Sequence, residues 1–575
     1  MGRIIWKDHT TGQKAQFIAD IMKESLFDYS FDSNRVPSLN LHYFCEDYIM
    51  TFELVEEGTM REGNMVPLVE EFECIIKKSI WLPQGISPVM LYFKNKNGKY
   101  VDSSTDKSLD EKTRSRYYLE NVKYIQDVLE SDNNYMFLLI EELNSLLLQS
   151  TFSIDDKKRL FFCIREFLSE LINAGVSKTH LYNQVQTRLF NSNIKPENDI
   201  EYVISFLRSL LPVKNEYEVI FGITDEVYEV KDIITGLCEA TDEEESIISA
   251  KYVAKNKFKA YDPVSALYTA KKSFSAILCI YNACKHDTNI KVKPNGMVRL
   301  ASEDKFRTIK DSKGALSKNK NKNRREREKW LRTAIERPIS SSLISAFELH
   351  NIALEIDDPQ TQLLNLWTIL ELLVETKQDV MNRINYISNV LCSILCIIYY
   401  DRKIESLLEQ IKRTEGIDEI IEREPRGEGT VQKFALILKD NNSLRLEILD
   451  LLKEYPLEKF MIDELASLFV SKELMKEDIE RHSKRLRWQI MRIYRNRCMI
   501  IHNGQSFSQL NSILENEHYY VDELFNYIFL KRERGMMDVD AIFALSRIKE
   551  QEHLRILSEK GSLSNEDFLS LIFDY

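Results

Sequence analysis

From about Ile339 to Tyr575 the chain reads as one helix after another, with only short punctuation between apolar runs. The breaks fall at Asp357-Asp358-Pro359, Glu424–Gly429, Asn503-Gly504 and Gly535. Each contains a Pro, Gly or Asn of the kind that stops a helix. A stretch of that length can bury its apolar stripes only by packing helix on helix, so residues 336–575 are expected to form an all-α bundle. With 17 Gly and 12 Pro in 575 residues, a linker-rich or collagen-like architecture is excluded. The length itself predicts two to four domains.

The upstream part carries mixed signals. Helical periods appear over Gln13–Phe27 and Arg116–Leu129, while Val89–Phe93 followed by Asn95–Gly98 reads as strand and turn. Between Ile154 and Leu211 the apolar positions Leu160, Cys163, Ile164, Phe167, Leu168 and Leu171 recur at helical spacing. Strand patterns follow over Tyr217–Ile223 and Ile248–Tyr261, and Asp262-Pro263 opens an Ala-rich helix over Val264–Cys284. The acidic run Asp242–Glu245 reads as a solvated turn, and the basic run within Lys313–Lys329 as a loop. The expected organisation is therefore an α+β region over 1–150, a middle α+β region over 151–312, a basic linker over 313–335 and the all-α region over 336–575. The fold class is mainly α.

Ninety acidic against 78 basic side chains give a formal charge of −12, which argues against coating nucleic acid through bulk charge but leaves room for a local basic groove. The nine cysteines form no CxxC and no His-matched cluster, so no metal site is expected and the thiols read as free. Met1–Asp8 meets charge too early for a signal peptide. The most apolar stretch, Val390–Tyr400, is shorter than the roughly 20 residues of a spanning helix. The expectation is a cytoplasmic protein without a membrane partner. P-loop, GxGxxG, GxSxG and HExxH patterns do not occur, and no cofactor is expected.

Chemistry concentrates in Ile493-Tyr494-Arg495-Asn496-Arg497-Cys498-Met499-Ile500-Ile501-His502-Asn503-Gly504, at the end of a helix beginning near Asp478. Arg497 and His502 are about 1.4 turns apart, near enough to meet one small ligand at the helix end. A guanidinium can hold a phosphate oxygen and an imidazole can exchange a proton near neutral pH. Spacing alone also fits a His that caps the last carbonyls, and Arg547 and His553 have nearly the same separation. Glu371 stands within the apolar helix Leu363–Val374 and needs either a cation or an exposed strip; Arg497 is the candidate cation. Arg481, Lys484, Arg485, Arg487, Arg492 and Arg495 precede His502 and read as a phosphate-guiding surface, with Arg485 and Arg492 as contacts, or as a solvated face.

Over about residues 340–530 the chain resembles the HEPN superfamily of nucleotide-binding helical domains, particularly the Apea-like members of bacterial defence proteins. The likeness rests on Leu366-Trp367-Thr368-Ile369-Leu370-Glu371 and on Tyr494–Gly504, where Arg497 and His502 fit an Arg-x4–6-His motif. Arg495 fits it too, with six residues between. Family members usually carry a polar residue after the motif Arg; this chain has Cys498. The resemblance implies a metal-independent endoribonuclease, a hydrolase in which the RNA 2′-hydroxyl attacks its neighbouring phosphate. Arg497, His502 and Glu371 would be catalytic, with Tyr494, Arg495, Asn496 and Asn503 supporting them. It further implies a homodimer and a toxin of antiviral abortive infection, answering to a phage-derived trigger or an antitoxin. The alternative is a non-catalytic module that binds RNA or a nucleotide, or that serves dimerisation.

Overall fold

The strand pattern around Tyr217 builds a five-stranded antiparallel sheet in the order β4-β5-β3-β6-β7. Its strands are β3 (Asn215–Ile223), β4 (Leu237–Glu239), β5 (Tyr252–Ala260), β6 (Val292–Leu300) and β7 (Arg307–Lys310); two-residue strands β1 (Phe93–Lys94) and β2 (Tyr100–Val101) pair separately. The structure is a computed structural model and describes residues 9–27, 35–37, 39–77, 93–94, 100–101, 111–131, 134–191, 197–224, 236–285, 290–310, 324–374, 380–504 and 510–574. Alternation along β3 sends Val219 and Phe221 to one face and Ile220 to the other. The Pro263–Lys285 helix covers the first face with Ala266, Leu267, Ala270 and Phe274. Gly296 of β6 allows that approach, because a β-carbon there would lie 2.5 Å from Leu267. Asp262, wholly buried, caps the helix through the Val264 and Ser265 amides at 2.9 Å and accepts from Ser177 N at 2.8 Å.

The described residues divide into two compact units, one within 167–310 and one joining those of 9–166 to those of 324–574. The expected boundaries at 150, 312 and 335 instead set the N-terminal region apart from the C-terminal one. Two further expectations are corrected. Asp242–Glu245 forms the first turn of the Asp242–Ile248 helix, with a Thr241/Glu244 capping box and Glu244 paired to Lys255 at 2.6 Å. Residues 324–336 of the expected linker are the helix Arg324–Glu336, since alternating Arg and Glu are good helix formers and charge alone stops nothing. Residues 313–323 of that linker, and 89–92 and 95–98 of the strand-and-turn expectation, lie outside the described residues.

In the second unit, four helices pack on one another: Pro359–Leu373, Val380–Ile397, Lys472–Asn503 and Leu510–Glu533. Leu363, Leu366, Trp367, Leu370, Ile387, Ile490, Ile493, Val521 and Leu524 are among the buried side chains of these helices. Emptying the Trp367 position alone would cost about 3–5 kcal/mol. The Leu41–Glu56 and Met65–Lys77 helices belong to the same unit, and the latter lies against Lys472–Asn503. No single described helix is long and apolar enough to cross a membrane; the bent pair Arg383–Ile397 and Tyr399–Ile411 meets the composition requirement jointly, at 46°. Its apolar residues Val390, Leu391, Ile394 and Ile404 are buried.

Candidate active site at the end of the motif helix

All but one of the residues singled out for chemistry lie on the 32-residue helix Lys472–Asn503. Ser471 starts it by accepting from Leu474 N, and Gly504 ends it in the left-handed conformation at φ 64°, its N–H bonded to Ile500 O. A residue with a β-carbon would be strained at that φ. The last turn presents His502 and Asn503 to solvent. His502 makes no hydrogen bond or ion pair with the described residues, so the expected capping role is not what occupies it.

Arg497 is held differently. It is about a quarter exposed, and its Nη2 stands 3.8 Å from Glu371 Oε2 on the Pro359–Leu373 helix. The two strongly apolar helices thus bring together the carboxylate and guanidinium that their sequences left needing partners. At 3.8 Å, with both groups partly solvated, the pair orients Arg497 without neutralising it tightly. Nearby, Arg383 Nη2 donates to the Glu371 carbonyl at 3.1 Å. Trp367 packs on Tyr494 with ring centroids 5.6 Å apart. Burial pushes the Cys498 thiol up, against the pull of its hydrogen bond to Tyr494 and of Arg497, so it stays protonated. Burial, with that same bond, also raises the Tyr494 phenol.

The other two motif arginines have a separate fate. Arg492 and Arg495 are each 1 % exposed and converge on Asp47, which is fully buried in the Leu41–Glu56 helix. Arg492 Nε donates to Asp47 Oδ2 at 3.0 Å and its Nη2 to Glu71 Oε2 at 2.6 Å. Arg495 Nη2 donates to Asp47 Oδ2 at 2.6 Å and its Nε to Asp47 Oδ1 at 3.3 Å. Burial alone would raise the Asp47 carboxyl, but the two guanidiniums overrule it and hold the group below its ordinary range. This corrects two expectations. Arg492 is not available as an RNA contact, and Arg495 is a structural residue rather than a support of the site. Arg495 is thereby removed as the alternative motif Arg. Asn496, also fully buried, donates to Arg492 O at 3.1 Å and presents nothing outward. Arg485 is exposed and keeps its expected place on the surface.

The look-alike pair Arg547 and His553 is set apart by burial. His553 is 7 % exposed, and burial assisted by Lys549 lowers its pKa to about 4. Arg547 lies over the Tyr386 ring. Arg383 and Asp47 escaped the reading from sequence: one depends on a helix crossing, the other on a contact 445 residues away along the chain. Comparison with family models, with curated proteins and with solved structures gives no match. The functional reading therefore rests on the side-chain chemistry at the end of this helix.

Proposed function

We propose that the chain is a metal-independent endoribonuclease of HEPN type, its helices after residue 336 forming the HEPN-like bundle. The observation that carries the reading is the Glu371–Arg497 pair, whose arginine shares a helix with His502, exposed and without a hydrogen bond or ion pair among the described residues. In the proposed reaction the RNA 2′-oxygen forms a bond to its neighbouring phosphorus and the bond to the 5′-oxygen breaks. His502 takes the 2′ proton, Arg497 steadies the charge developing on the phosphorane oxygens, and Glu371 orients Arg497. On an ideal helix Arg497 and His502 are separated by about 7.5 Å in rise and about 140° in direction. One substrate must then lie across the helix end, and a second copy in a homodimer supplies the proton that the 5′-oxygen needs. DNA, lacking the 2′-hydroxyl, is inert in this scheme. The biological role proposed with it is a regulated toxin of antiviral abortive infection in the cytoplasm, released by a phage-derived trigger or by loss of an antitoxin.

The test is degradation of total cellular RNA by the purified chain in EDTA, wild type against His502→Ala. Cleavage by the wild type alone supports the reading; equal cleavage by both removes His502 from the site. One observation favours a second reading, a non-catalytic module for RNA or nucleotide. Cys498 is buried, protonated and bonded to Tyr494, so the position after Arg497 offers substrate no polar group. RNA binding without cleavage under any trigger selects that reading.

A further inference from the structure

Two histidines far apart in the sequence meet an aspartate in the second unit. His350 comes from the Ser341–Glu355 helix, while His518 and Asp522 sit four residues apart on one face of the Leu510–Glu533 helix. His350 Nε2 lies 3.2 Å from His518 Nε2 and 3.6 Å from Asp522 Oδ1. The three ligand atoms all lie within 4.8 Å of one another. Zinc bonds of 2.0–2.1 Å in a tetrahedron place neighbouring ligand atoms about 3.4 Å apart, and the two measured separations bracket that value. His518 Nδ1 is 3.5 Å from Asp522 Oδ2.

The surroundings fit the same use. Phe347 stacks on Phe525 at 4.6 Å, and Phe525 meets the His350 ring edge to face at 5.7 Å, giving the cluster an aromatic wall. His518 and Asp522 are buried, at 5 % and 8 % side-chain exposure, while His350 at 18 % marks the side open to solvent. Three protein ligands with one solvent-facing position form the open type of zinc site. Two imidazoles with one carboxylate suit zinc and its first-row neighbours rather than the all-oxygen cations.

We propose that His350, His518 and Asp522 bind one zinc-type divalent ion, with water as the fourth ligand, fastening the Ser341–Glu355 helix to the Leu510–Glu533 helix. The site is independent of the ribonuclease reading, since it includes none of Arg497, Glu371 and His502. Its effect falls on the helix that begins at Leu510, shortly after the His502 turn.

The experiment is titration of the metal-stripped full chain with Zn2+ by calorimetry and with Co2+ by visible absorption, alongside thermal melts. The expected result is one ion per chain, a cobalt spectrum of nitrogen and oxygen ligation without thiolate bands, and a melting point raised by zinc. His350→Ala and Asp522→Asn should each weaken binding by at least about 100-fold and abolish the zinc-induced rise. His350 is at the solvent edge and Asp522→Asn is nearly isosteric, so both variants keep the fold, as circular dichroism will verify. Cys279→Ser, removing the exposed thiol, should bind as the wild type does. Absence of stoichiometric binding, binding untouched by the two ligand variants, or binding lost in Cys279→Ser would each overturn the proposal.

Discussion

Within one helical turn, Arg495 and Arg497 occupy opposite situations. Arg495 shares a fully buried aspartate with Arg492, at hydrogen-bond distances. Arg497 faces a partly solvated glutamate at 3.8 Å. The first arrangement commits both guanidiniums to a carboxylate inside the fold, where no ligand reaches them. The second leaves a guanidinium aimed and still attractive to an anion. The difference teaches that the charge count of a helix says little about its function; the tightness of each pairing decides which arginine serves the fold and which can serve chemistry.

The sharpest way to break the comparison is Asp47→Ala. It takes the buried carboxylate from Arg495 and leaves Arg492 with Glu71 alone, and denaturant unfolding should show a loss of about 3–5 kcal/mol. Adding Arg495→Met to that variant should restore part of the loss, which no surface pair would do. His502→Ala should reverse the pattern, lowering RNA cleavage by about 10²–10⁴-fold while leaving the melting temperature where it was. Glu371→Gln should fall between them. Cleavage is expected to drop about tenfold, or 1.4 kcal/mol, with stability changed by less than about 1 kcal/mol.

Acid should separate the pairs as well. Asp47 is held below its unfolded value, so its stabilisation is present above the ordinary carboxylate range and is lost as pH falls through the lowered native value. His553 titrates at about 4 in the fold against an ordinary 6.5, so the unfolded chain binds the extra proton between those values and stability declines as pH drops across that window. The slope is at most about 1.4 kcal/mol per pH unit, and His553→Gln should flatten it in a pH series of melts. The smallest effect is expected from Arg485→Ala, which should weaken RNA binding slightly and reduce its salt dependence by about one contact.

What the sequence disclosed follows from the range of the forces involved. The end of the motif helix was legible because Asn503-Gly504 is a local stop, and Gly504 does take the left-handed conformation. Glu371 was legible because a carboxylate in an apolar helix demands an account, and Arg497 stood in the other apolar helix. The mainly α class and the presence of strands around Tyr217 were local too, carried by periodicity, while their antiparallel order was not. Asp47 was illegible: it lies in an unremarkable helix, and only folding across 448 residues brings it to Arg495. Arg492 and Arg495 then looked like members of a solvated basic face, since a charge run does not say which members turn inward. His350 and His518, 168 residues apart, read as isolated for the same reason.

The shared aspartate also limits what a fragment of this protein can be. Asp47 and Glu71 are supplied from one end of the chain and the arginines they neutralise from the other. A product cut or initiated downstream of Glu71 would inherit two cations in its interior and no anion to meet them. The C-terminal helices are thus poor material for shuffling into new proteins, and proteolytic release is a poor way to set them free.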